Sequence, residues 1–208
     1  MSSTHATTHF IDDTTSGERQ SVVKASCEEI FIEDFDADTL PGRYSIAIAS
    51  GVFKEITPRL LQILRSISAV VICDAQGLIR DTDELHRVIH RPFSETPFKN
   101  LLTAIDFLKI SKTEATSFNF AALPRGLTVL LTLGRGGCEI IRDGSRVLIP
   151  AFPVEEIDST GAGDCFVAGV AHALSLGRPL EEAVLEGNRS GAAAVGQLGV
   201  PTAGPVSK

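Results

Sequence analysis

Seven consecutive residues, Asp158-Ser159-Thr160-Gly161-Ala162-Gly163-Asp164, hold the types best suited to chemistry. Gly161, Ala162 and Gly163 stand directly before an amphipathic stretch, residues 166–176, which reads as a helix stopped by Gly177. Amides at such a helix start lack intrahelical partners and face outward, and the helix dipole adds positive potential, so the spot suits an anion. Gly161 and Gly163 have no side chain to block close approach. Asp164 follows on the first turn. Beside a bound phosphate, its carboxylate is placed to act as general base for an attacking hydroxyl. An amide nest for a phosphoryl group, with a base next to it, is what in-line transfer to an alcohol requires. The plainer reading of Gly-x-Gly-Asp is a turn with a capping aspartate, because these residues dominate turns and caps. Asp158, Thr160 and the helix that follows weigh against it.

The rest of the chain must position this string. Residues 45–50 read as a strand ending at Gly51. Thr57-Pro58 is a helix start, a hydroxyl N-cap followed by proline at the first helical position. Leu60, Leu61, Leu64 and Ile67 follow at helical spacing. Residues 69–73 form a short, wholly apolar run, as in a strand covered on both faces, and end at Asp74. A helix is expected over 83–89, a strand over 105–110 ending at Ser111, and a short helix with Glu114. A third apolar strand, 128–133, runs into Gly134-Arg135-Gly136-Gly137. Residues 138–142 and 146–149 flank Asp143-Gly144, a hairpin signal. Pro179 opens the last helix, with Glu181 and Glu182 in its first turn. Near the start, Phe10-Ile11 and Val22-Val23 suggest two short strands around a polar turn over 12–18, and Pro41-Gly42 punctuates the chain. Strand–helix alternation with apolar strands predicts an α/β fold around a mostly parallel sheet. Ligands gather beyond the carboxyl ends of such strands, where Asp74, Ser111 and Gly134 fall.

Composition excludes several classes. The chain has 208 residues, 43% hydrophobic and 22% charged, enough for a sizeable core and too apolar for disorder. A net charge of −7 disfavours nucleic acid or an anionic membrane as partner. No apolar run approaches the roughly 20 residues that span a bilayer, and the polar first eight residues do not read as a secretory signal. Cys27, Cys73, Cys138 and Cys165 lie far apart, which points to reduced thiols in a cytosol rather than to disulfides or a metal cluster. There is no GxxxxGK[ST] string, and 134–137 lacks the full GxGxxG spacing, so neither a P-loop nor an NAD site is expected.

Residues 158–164, DSTGAGD, resemble the C-terminal signature of the pfkB, or ribokinase-like, family of sugar and nucleoside kinases. The resemblance implies a three-layer αβα sandwich, with Asp164 as catalytic base and Gly161, Ala162 and Gly163 as anion hole. Thr132-Leu133-Gly134-Arg135-Gly136-Gly137 resembles the family's nucleotide-binding strand end, where Thr132, Gly134 and Gly137 would line ATP. Asn188 is similar to a helix asparagine near the nucleotide base. Ser111-Lys112-Thr113-Glu114 stands where the family has Asn-x-x-Glu. Ser111 would then border ATP, and Glu114 would help hold Mg2+ through water. Asp74 to Arg80 resembles an Asp-x-Asn-x-x-Arg-like strand end, with Gln76 a departure. Asp158 would support a loop for a monovalent cation such as K+, loop capping being the alternative. Stretches at 8–11, 27–30, 49–52 and 107–111 resemble plant-type myo-inositol kinases.

The likeness implies an ATP-dependent phosphotransferase acting on the hydroxyl of a small carbohydrate or polyol, with myo-inositol favoured. The rival reading is a catalytically inactive nucleotide-binding remnant. The chain corresponds to the C-terminal two-thirds of such a kinase, N-terminally truncated, without the family's Gly-Gly substrate segment. Residues 1–43 would be a partial β lid and connecting segment, and residues 44–208 the nucleotide-binding α/β core. A homodimer through the lid strands and a cytoplasmic location are expected. Two smaller signals are read as structural. His86 and His90, four apart on the expected helix with Asp83 a turn earlier, lack a third strong ligand. Cys165, at a helix start where a thiol pKa tends to fall, reads as a small packed residue rather than a reactive thiol.

Overall fold

The computed structural model describes residues 8–13, 20–27 and 43–199. The chain divides into two units, residues 1–127 and 128–208. In the first, strands β1 (His9–Asp13) and β2 (Gln20–Ala25) pair antiparallel, as their apolar residues predict. Strands β3 (Tyr44–Ala49), β4 (Ser68–Asp74) and β7 (Phe107–Ser111) run parallel, with β4 between the other two. Val71, Ile72, Cys73, Leu108 and Ile110 are fully buried, which explains why β4 and β7 read as continuous apolar runs.

Helix α1 (Pro58–Ile67) begins as its sequence dictates: the Leu60 amide donates to Thr57 Oγ1 at 3.0 Å. It buries Leu60 and Leu61 and packs on β3 and β4. Its last turn is tied to the sheet by Arg65, which donates to Asp106 Oδ2 at 2.5 Å and to the Ser68 carbonyl at 2.9 Å. The Val71 amide donates to the same Asp106 oxygen.

One expectation fails here. Residues 83–89 are not helical. Strands β5 (Arg80–Thr82) and β6 (Val88–His90) form a hairpin, with Arg80 opposite His90. The cause is Asp83. Its Oδ1 accepts the amides of Leu85 and Arg87, both at 2.9 Å, and its Oδ2 accepts Arg87 Nε at 2.6 Å. The carboxylate takes the Arg87 amide, which a helix would direct to the Asp83 carbonyl, and His86 turns to φ 59°. His86 and His90 therefore share no helix face. The four-residue helix α2 (Gln76–Ile79) before this hairpin went unforeseen. Strand β2 reaches the hairpin through Val23, whose amide donates to the His86 carbonyl at 2.9 Å. The turn over 14–19 and Pro41-Gly42 lie outside the described residues.

In the second unit, β8 (Thr128–Thr132), β9 (Cys138–Arg142) and β10 (Ser145–Ile149) form an antiparallel meander. Asp143 (φ 49°) and Gly144 (φ 82°) make the turn, both in the left-handed region that a two-residue hairpin requires. Helices α3 (Ala162–Ser175) and α4 (Leu180–Val195) pack on each other. Gly187 permits their close approach: a Cβ there would lie 2.6 Å from Val170 Cγ2. Val129, Leu130, Val167, Val170 and Val184 form the buried core. The chain is thus α/β, with its parallel strands in the first unit. Among the described residues, no helix is long and apolar enough to cross a membrane.

Candidate active site

The second unit encloses a cavity of about 510 Å3. Its walls come from five places. The end of β8 contributes Thr132, and the turn after it Gly134, Arg135 and Gly137. The loop after β10 contributes Phe152, Val154, Glu156 and Ser159; the start of α3, Ala162 and Gly163; one face of α4, Asn188, Gly191, Ala192 and Val195. Residues 188, 191, 192 and 195 recur at helical spacing and so share that face.

The turn and the loop are fixed to each other. Gly137 has φ 92°, and a Cβ there would lie 2.1 Å from the Ile149 carbonyl oxygen and 2.7 Å from the Ala151 amide nitrogen. Only glycine fits this approach. From the other side, Asn188 Nδ2 donates to the carbonyls of Ile149 and Pro150, each at 3.0 Å. Both donors of this buried side chain are spent on backbone, which leaves Oδ1 as the atom that can meet a ligand. The loop is anchored again where the amides of Ile157 and Asp158 donate to the Val195 carbonyl.

Helix α3 starts from Gly161, in the left-handed region at φ 77°. The Ala162 amide donates to the Ser159 carbonyl at 3.3 Å, and the Cys165 amide to the Gly161 carbonyl at 2.9 Å. Ala162 and Gly163 line the cavity, and Asp164 is exposed on the same first turn. Gly161 and Asp158 flank the wall without lining it; Asp158 Oδ1 accepts the Thr160 amide at 2.9 Å. The Cys165 thiol is pushed up, by burial and then by the neighbouring Asp164 carboxylate, which opposes the thiolate a reactive cysteine needs.

The first unit holds a second polar cluster at its strand ends. Asp74 and Lys109 are register partners on β4 and β7, and Lys109 Nζ sits 3.0 Å from Asp74 Oδ2. Their side chains are 1% and 7% exposed, so this ion pair is buried. Asp74 Oδ1 also accepts the Gln76 amide at 3.0 Å. Burial pushes the Asp74 carboxyl above the usual range; Lys109 opposes this and Glu114 reinforces it. Glu114 is itself buried, and its Oε2 accepts the Ser111 amide at 2.7 Å. Ser111 and Glu114 thus meet within the first unit. His90 is shifted down by burial, with Glu114 pulling it up and Arg80 pushing it down.

Residues 69–205 match the pfkB family carbohydrate kinase profile. The chain belongs to the pfkB family. It is 38% identical over 180 residues to inositol 3-kinase of Zea mays, covering 86% of this chain and 46% of that one. It is 37% identical over 203 residues to inositol 3-kinase of Oryza sativa, covering 94% and 50%. The chain therefore spans about half the length of the curated relatives it matches. Ribokinase from Thermotoga maritima shares the fold at a TM-score of 0.66 and 19% identity, over 94% of this chain and 65% of that one. A pyrophosphate-dependent kinase of the ribokinase family, solved with a pyrophosphate analogue and myo-inositol, shares it at 0.72 and 17%, over 88% and 67%.

Within this pfkB chain, the cavity brings together Thr132, Gly134, Gly137, Ala162, Gly163 and Asn188 from the residues singled out in the sequence. It adds an apolar wall, Phe152, Val154, Ala192 and Val195, that the motifs do not announce. It also adds an ion pair, Arg135 to Glu156 at 3.2 Å, between two exposed side chains. Among the described residues, no group of three or more His, Cys, Asp or Glu side chains is placed to hold a metal.

Proposed function

We propose that the chain is the nucleotide-binding part of an ATP-dependent kinase that phosphorylates a hydroxyl of a small polyol, with myo-inositol the favoured substrate. One observation carries this reading: a single cavity is bounded by the glycine turn after β8, the glycine start of α3 and Asn188 of α4. The apolar wall suits a base and ribose, and the backbone at 161–163 suits phosphate. The identity to plant inositol 3-kinases supports the polyol.

In this reading Asp164 accepts the proton of the attacking hydroxyl as its oxygen bonds to the γ-phosphorus, and the bond to the ADP oxygen breaks. Amides of Gly161, Ala162 and Gly163 stabilise the negative charge on the transferring group, the Ala162 amide exchanging its 3.3 Å bond to the Ser159 carbonyl to do so. Mg2+, which takes few protein ligands when it travels with a nucleotide, would neutralise phosphate charge. Glu114 fits a role through water, since only its Oε2 is used by Ser111. Asp158 would support a K+ loop. Residues 1–43 would act as a partial lid, with β1 and β2 available for a homodimer in the cytoplasm.

The test is phosphoryl transfer from ATP to myo-inositol by the chain extended to the length of its relatives. Asp164→Asn should lower turnover by about 100-fold or more while leaving ATP affinity nearly unchanged. Near-normal turnover in that variant would make Asp164 a helix cap only. ATP binding with no transfer by the unaltered protein would favour the inactive remnant.

A further inference from the structure

We infer that Phe152 is the stacking platform for the base of the phosphoryl donor, and that it selects a nucleoside triphosphate over a donor made of phosphate alone. The inference rests on the nucleotide reading of the cavity and deepens it. Phe152 is the aromatic side chain in the loop wall and lies among Val154, Ala192 and Val195. Arg189 lies over its ring, the guanidinium carbon 5.2 Å from the centroid. Phe152 lines the cavity and Arg189 does not, so the guanidinium contacts the ring without itself bounding the cavity. The guanidinium is itself steadied by Glu186, at 3.3 Å.

The backbone that carries this ring is held as firmly. Asn188 takes the carbonyls of Ile149 and Pro150. Gly137 leaves no room between the turn and the Ile149–Ala151 backbone. Two separate restraints, Asn188 and the close approach of Gly137, therefore converge on residues 149–151, which lead to one aromatic ring at a cavity wall. A ring fixed in advance loses little freedom when a flat ligand settles on it. A purine offers such a flat π face, and inorganic pyrophosphate offers none. The distinction matters in this family, since one fold neighbour is a pyrophosphate-dependent kinase.

The experiment is calorimetric titration of the chain with Mg-ATP and, separately, with Mg-tripolyphosphate, which carries phosphates without a base. The unaltered chain should bind Mg-ATP at least about tenfold more tightly, because stacking adds to phosphate contacts. Phe152→Ala should weaken ATP by about 5- to 100-fold and change tripolyphosphate by less than about twofold. Phe152→Leu keeps the apolar bulk, guards against misfolding, and should show the same selective loss in smaller degree. Arg189→Met should weaken ATP by about two- to fivefold, the size of an exposed cation–π contact. Undiminished ATP binding in both Phe152 variants, or an equal fall for both ligands, would overturn the platform and leave the nucleotide site standing. No ATP binding by the unaltered, folded chain would overturn both.

Discussion

The two units manage polar groups in opposite ways. At the strand ends of the first, charge is buried on side chains: Asp74 against Lys109, with Glu114 turned back onto the Ser111 amide. Around the cavity of the second, much of the polar surface is backbone and glycine, and charged groups such as Asp164, Arg135 and Glu156 stay exposed. The first arrangement depends on pairing, because a buried charge that loses its partner keeps its full desolvation cost. The second depends on shape, because backbone amides remain whatever the side chains but need room beside them. Substitutions should therefore fail for different reasons in the two places.

The largest effect is expected from Lys109→Met, which strands Asp74. Urea unfolding should show a loss of about 3–5 kcal/mol. The double variant Asp74→Leu, Lys109→Met should recover much of it. A loss under about 1 kcal/mol would mean that the pair is not what holds the strand ends.

Next comes Gly137→Ala. Overpacking against the Ile149 carbonyl, plus left-handed strain, should cost about 3 kcal/mol. Gly144→Ala is the control. It has φ 82° but no atom within 4 Å of the added Cβ, so strain alone, about 1 kcal/mol, should remain. Equal losses at the two sites would remove the argument that the loop is held by close approach.

How much of this was legible in the sequence depended on distance along the chain. The cap at Thr57, the Asp143-Gly144 hairpin and the apolar strands are set by neighbouring residues, and they formed as read. The hairpin at 80–90 was missed because apolar and polar spacing over 83–89 imitates a helix, while Asp83 decides the matter through bonds to Leu85 and Arg87. Gly163 of the cavity was legible because a glycine at a helix start has a narrow chemical use, whereas Gly134, Gly137 and Asn188 were reached through the resemblance to the pfkB family. Phe152, Ala192 and Val195 were not legible, because a single aromatic in a loop and small residues on a helix have many uses. Lys109 was invisible as the partner of Asp74, 35 positions away, until the parallel register set them side by side.

Two smaller effects sharpen the contrast. Burial works to raise the Asp81 carboxyl, but hydrogen bonds from Lys54, Arg91 and the Thr82 amide prevail and lower it from 3.8 to about 2. A depressed carboxyl stabilises the fold at pH values above its ordinary range, and that contribution is lost as pH falls through about 2. Unfolding followed from pH 5 to pH 2 should therefore show stability falling less steeply in Asp81→Asn than in the unaltered chain. The smallest effect is expected from Arg135→Ala. Its ion pair with Glu156 is exposed, and its loss should cost at most about 1 kcal/mol. A cost near that of Lys109→Met would erase the distinction between the two units.

Thermal unfolding of the chain with and without millimolar Mg-ATP reports whether the cavity of the second unit holds a nucleotide. A ligand that binds only the folded state raises its stability, by about 2.7 kcal/mol at a hundredfold excess over Kd. A nucleotide site there gives a saturable rise in Tm with Mg-ATP that Gly137→Ala abolishes or strongly reduces. A folded chain whose Tm does not move at saturating Mg-ATP would contradict it.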